Sequence, residues 1–118
     1  MPEIPPIVQN EFRAAWNVIA KDVHDTAVSK GWWDKDRNDG EMLCLMHSEI
    51  SEALEAIRKG NPPDDKIPQH SGAAAELADV VIRIMDTCRS RGWDVAGALL
   101  DKIAFNKTRA YKHGGKAF

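Results

Sequence analysis

The chain has 118 residues, with 16 Lys and Arg against 18 Asp and Glu and a formal net charge of −2. That length suffices to bury a core without disulfides or metals as obligatory staples, and one domain spanning 1–118 is expected. The balanced charge leaves no basic footprint for nucleic acid or an anionic membrane surface.

The opening "MPEIPPIV" has neither a basic n-region nor a continuous apolar h-region, and no apolar run approaches the ~20 residues that cross a bilayer. A cytoplasmic location without membrane contact is therefore expected. Prolines keep this start extended. Val8, Phe12, Ala15, Ile19, Val23 and Ala27 then recur at three- and four-residue steps and predict a first helix that stops near Gly31.

"WWDKDRNDG" reads as a polar loop in which Asn38 or Asp39 caps a second helix, running to about Lys59 with Gly60 as its stop. "NPPDDKIPQHSG" reads as a connecting loop, and Ser71 as the cap of a third helix that ends at Gly92. Asp94 caps a fourth, "VAGALLDKIAFNKTRAYKH", expected to run to Gly114 and Gly115. No segment has a strand-like period of two. The predicted fold is all-α, a four-helix bundle. Cys44 and Cys88 fall within apolar helical patterns and read as reduced core residues.

On the second helix, Leu43, Met46, Ile50, Leu54 and Ile57 form an apolar stripe that accounts for core packing. The adjoining row is Leu45, Glu49, Glu52, Ala56, so two carboxylates lie between apolar residues. Positions three apart share one side of a helix, with Cβ atoms ~5–6 Å apart, close enough to reach one cation. The third helix is apolar around most of its circumference and keeps a single polar row of Glu76, Asp79, Arg83 and Asp86.

If the two rows meet, each close carboxylate pair at ~5 Å repels by roughly 3 kcal/mol at an effective dielectric of 20. A positive charge is then required. Carboxylate-only ligand sets select Mg²⁺, or Mn²⁺ as a substitute, over Zn²⁺. A di-iron bundle site needs Glu-x-x-His on two helices, which these glutamates lack. The plainer reading also stands: acid pairs at this spacing are commonly solvated faces with salt bridges, and Asp79 with Arg83 at i, i+4 can form one.

"GWWD", "HSEISEALEAIR", "AELADVVIRIMD" and "GWDVAGALLDKIAFNKTRAYKHGG" occur in that order along nearly the whole chain. This combination resembles the MazG-like all-α nucleoside triphosphate pyrophosphohydrolases, whose signature is Glu-x-x-Glu, a variable spacer, then Glu-x-x-Asp. The resemblance implies Mg²⁺-dependent hydrolysis of a nucleoside triphosphate to monophosphate and pyrophosphate, with Glu49, Glu52, Glu76 and Asp79 holding the ions. Glu52 is the expected general base.

Lys102, Asn106 and Arg109 recur at steps of four and three, match the family's Lys and Asn/Arg positions, and are expected to meet the phosphates. Tyr111, Lys112 and the "HGGK" tail are expected to close over them. A solvated basic helix end that complements the helix dipole is the plainer alternative. Trp32 and Trp33 are the candidates for stacking on the base, one of the two being core. His47 either touches phosphate or is a structural helix histidine. Trp16 and Trp93 read as packing residues. The resemblance also implies a homodimer or a dimer of dimers, in keeping with the apolar third helix. Two alternatives remain open: a non-catalytic cation-binding helical interaction module, and a related dUTPase or phosphoribosyl-ATP pyrophosphohydrolase activity.

Overall fold

The computed structural model describes residues 2–111, which are all-helical, with four helices and no strand. They are α1 (Pro6–Ser29), α2 (Asp39–Arg58), α3 (Gly72–Arg91) and α4 (Val95–Asn106). None is long and apolar enough to cross a membrane.

The helix starts follow local chemistry. Pro6 begins α1, where a missing N–H costs nothing. Asn38 Oδ1 accepts from Glu41 N at 2.7 Å, Ser71 Oγ from Ala74 N at 3.2 Å, and Asp94 Oδ1 from Gly97 N at 2.9 Å. Gly92 closes α3 in the left-handed region at φ 72°, which a β-carbon would disfavour.

The fourth helix is shorter than the sequence predicts. It ends at Asn106, where Thr108 N and Oγ1 both donate to Phe105 O and Arg109 N donates to Asn106 O. The Thr108 hydroxyl competes with the helix through such a local bond, and the tight turns halt propagation. Lys112, His113, Gly114 and Gly115 lie outside the described residues.

α3 is the central element, with α2 packed along one side and α1 along another, while α4 packs mainly on α1. Met42 meets Thr87, Glu49 meets Arg83, and Ala56 meets Gly72, so α2 and α3 run antiparallel. Their approach depends on small residues. A β-carbon on Gly72 would lie 3.1 Å from Ala56 Cβ and 3.3 Å from Pro62 O, and Ala53, Ala73 and Ala75 are buried nearby in sequence. The connecting loop is tied back: Asn61 N donates to Ala56 O at 2.7 Å, while Asn61 Oδ1 accepts from Ala73 N at 2.9 Å. One residue, through its backbone N–H and its side chain, thus links the end of α2 to the first turn of α3.

This seam reverses the expected facing of α2. Leu43, Ile50, Leu54 and Ile57 are exposed and Met46 is half-buried, whereas Met42, Ala53 and the half-buried Leu45, Glu49 and Ala56 turn inward. The stripe has the helical period, but the small-residue row is the one that allows close contact with α3. Val8 and Ile19 are likewise exposed on α1, where Ala20 is the buried residue. Cys88 is buried as expected; Cys44 is exposed, on the outer side of α2. Trp16 is half-buried, and Trp93 is 47% exposed, held by its N–H bond to Cys88 O.

Candidate functional site

Because the small-residue seam turns Glu49 inward, the acid pairs of α2 and α3 meet. Glu49, Glu76 and Asp79 each offer a carboxylate oxygen within 4.8 Å of the other two. Glu49 and Glu76 are half-buried and Asp79 is exposed. Burial, a hydrogen bond shared with Glu49, and the charges of Glu49, Asp79 and Glu52 together push the Glu76 carboxyl up to about 7. Burial and the Glu49 charge also raise Asp79, opposed by Arg83.

Glu52 lies one turn along α2, exposed and outside this closest triangle, although its charge still acts on Glu76. Arg83 Nε and Nη2 donate to Glu49 Oε1 at 3.0 and 2.9 Å. The ion pair thus crosses between helices and does not form with Asp79 on the same helix. All-oxygen donors of this kind suit a hard cation such as Mg²⁺ or Mn²⁺.

A cavity of about 320 Å³ opens beside the cluster. Glu49, Asp79 and Arg83 line one side, Thr26 and Lys30 come from the end of α1, and Trp32 and Arg37 from the loop that follows. It therefore combines acidic, cationic and aromatic walls.

The two tryptophans are placed differently. Trp33 Nε1 donates to both oxygens of Asp86, and His24 packs edge-on against its ring at 5.3 Å. The guanidinium groups of Arg37 and Arg91 lie 5.7 and 6.0 Å from that ring. Trp33 is therefore held by the fold, while Trp32 is 58% exposed and lines the cavity. His47 is exposed on α2 and does not line it.

Lys102, Asn106, Arg109 and Tyr111 are exposed and lie elsewhere. Lys107 Nζ reaches Pro2 O at 2.9 Å, which puts the end of α4 beside the start of α1, whereas the cavity lies at the far end of α1. At ~1.5 Å per residue the two ends of that helix are roughly 35 Å apart. Within one chain the structure brings none of these four residues to the acidic cluster. Arg109 lies beyond α4, its guanidinium 5.9 Å from the Phe105 ring, so it does not continue the helical face of Lys102 and Asn106.

Sequence reading missed Lys30 and Arg37 as cavity residues and the anchoring of Trp33 by His24 and Asp86. The row Glu76, Asp79, Arg83, Asp86 carried part of the signal, since all four of its members take part in the cluster or its surroundings. No protein-family profile matches the chain, and no curated protein or solved structure matches it either.

Proposed function

We propose that the chain is a MazG-like nucleoside triphosphate pyrophosphohydrolase, releasing pyrophosphate and the monophosphate in a Mg²⁺-dependent reaction. The observation that carries the reading is the meeting of Glu49, Glu76 and Asp79 beside a cavity walled by Lys30, Arg37 and Trp32. A bound divalent cation would supply Lewis-acid polarisation of the α-phosphoryl group and a lowered pKa for the attacking water.

The chain's own residues supply the rest. Glu49, Glu76 and Asp79 hold the cation. Glu52, outside the close triangle, takes the proton from water. Lys30 and Arg37 offset phosphate charge, and Trp32 offers its face to the base. Lys102, Asn106, Arg109 and Tyr111 can meet that phosphate chain only from a second copy.

A homodimer, or a dimer of dimers, fits the exposed row Leu43, Ile50, Leu54 and Ile57 on α2, joined by Leu77 and Val81 on α3. Each such side chain left in water forgoes roughly 1.5–3 kcal/mol of burial.

The test is pyrophosphate release from canonical and modified nucleoside triphosphates, with dUTP and phosphoribosyl-ATP in the panel, in Mg²⁺ and in EDTA. Metal-dependent release with matching monophosphate supports the reading and ranks the bases. The second reading, a non-catalytic cation-binding helical module, draws on the pairing of Glu49 with Arg83, which already neutralises part of the cluster. Cation binding with no turnover on any substrate would favour it.

A further inference from the structure

Arg83 is placed between two destinations. It stands one turn beyond Asp79 on α3, yet its guanidinium reaches across to α2, where two of its nitrogens converge on the single oxygen Glu49 Oε1. The Arg83 side chain remains 31% exposed against 15% for Glu49, and it lines the same cavity as Lys30 and Arg37.

We infer that Arg83 is an exchangeable counter-ion: it holds Glu49 while the acidic cluster carries no divalent cation, and turns to the substrate's phosphate chain once the cluster does. This inference rests on the proposed reading of the site as one for a divalent cation and a triphosphate.

A guanidinium and a divalent cation compete for the same carboxylate, so occupation of Glu49 by the cation weakens the hold on Arg83. The released group needs only side-chain rotations to face the cavity, because the residue already forms part of its wall. Its planar fork of donors suits phosphate oxygens in pairs. Asp86, the next acid along the polar row of α3, is engaged by Trp33 and His24 and offers Arg83 little as an alternative partner. The exchange makes cation and phosphate binding mutually favourable, since each removes Arg83 from the other's competitor.

The experiment compares the wild-type chain with Arg83→Gln and Arg83→Lys, helicity being matched by circular dichroism. Mn²⁺ is titrated alone, followed by its paramagnetic resonance signal, and tripolyphosphate is titrated separately with Ca²⁺ at a fixed saturating level. The expected result is a pair of opposite shifts in Arg83→Gln: Mn²⁺ binds roughly tenfold tighter and Ca²⁺-tripolyphosphate roughly tenfold weaker, with Arg83→Lys between. A purely structural bridge would move both affinities the same way. Mn²⁺ affinity that is unchanged or lower in both variants overturns the exchange while leaving the proposed function standing. A wild-type chain that binds no Mn²⁺ overturns both.

Discussion

The indole N–H of Trp33 donates to both carboxylate oxygens of Asp86, at 3.0 and 3.1 Å. That contact joins the α1–α2 loop to the central helix, and His24 Nδ1 lies 2.7 Å from the same carboxylate. With only 14% of its side chain exposed, Asp86 depends on these partners to offset its desolvation. Asp86→Asn keeps the shape but loses the charge and one acceptor. It is expected to lower the unfolding free energy by about 1–3 kcal/mol, and to shift tryptophan emission in the folded state. Urea unfolding followed by circular dichroism checks this; an unchanged midpoint would show that the contact does not tie the loop down.

The acidic cluster predicts a pH dependence with a definite sign. Glu76 titrates near 4.5 when unexposed to its neighbours and is pushed up to about 7 in the fold. A raised carboxyl favours the folded state while protonated, so its stabilisation is full below the unfolded value and is lost as pH rises through the folded one. The groups around it are Glu49 and Glu52 on α2 and Asp79 on α3, with Arg83 on Glu49, and Asp64 and Lys66 acting on Asp79. Asp79, raised as well, contributes with the same sign. In EDTA, Glu76→Gln should therefore gain melting temperature over the wild type as pH goes from 5 to 8. A gap that stays constant or narrows would contradict the clustering.

Trp32 and Trp33 should separate in a binding experiment. Trp32 lines the cavity and is more than half exposed, with the Arg37 guanidinium 5.8 Å from its ring, whereas the Trp33 ring is flanked by His24 and Arg91 as well as Arg37. Nucleotide added with Ca²⁺ should quench fluorescence in Trp33→Phe but largely not in Trp32→Phe. Trp32→Ala should weaken binding by roughly tenfold, in line with ~1–3 kcal/mol per stacked base. Quenching retained in Trp32→Phe would remove that residue from base recognition.

The exposed row on α2 predicts self-association. Ile50 and Leu54 are 48% and 51% exposed, and a charge at either position would oppose burial against a second subunit. Sedimentation should show an oligomer for the wild type and a monomer for Leu54→Glu with unchanged helicity. A monomeric wild type at micromolar concentration would reject the assembly and, with it, any contribution from Lys102 or Arg109 to the site.

What the sequence made legible was local. Caps at Ser71 and Asp94 and the stop at Gly92 are decided by one side chain against one helix end, and the acid pairs are three-residue spacings within single helices. The facing of α2 was not legible, because Leu54 and Ile57 share the helical period with the row that holds Ala53 and Ala56. Only the close approach of Gly72 on the partner helix decides between them. The pairing of Glu49 with Arg83 spans 34 residues, and the convergence of Lys30, just after α1, and Arg37, in the following loop, on one cavity is a tertiary relationship, so no spacing encodes them. The early end of α4 depended on the local bonds of Thr108 to Phe105 O, which its apolar pattern does not register.

The geometry sets Glu52 apart from the other three acids, and the proposed reading gives the two sets different roles that one set of variants tests. Glu49, Glu76 and Asp79 form the close triangle, and Glu52 stands outside it. Glu49→Gln, Glu76→Gln and Asp79→Asn should each weaken Mn²⁺ binding by roughly tenfold or more and abolish most pyrophosphate release, since each removes a charged oxygen donor. Glu52→Gln should keep Mn²⁺ affinity within a few-fold and still lose ~100-fold or more in turnover, the scale of a missing general base. If Glu52→Gln instead loses the metal as the other three do, Glu52 is a ligand and the proton acceptor lies elsewhere. If it loses neither, the carboxylate is a solvated surface group.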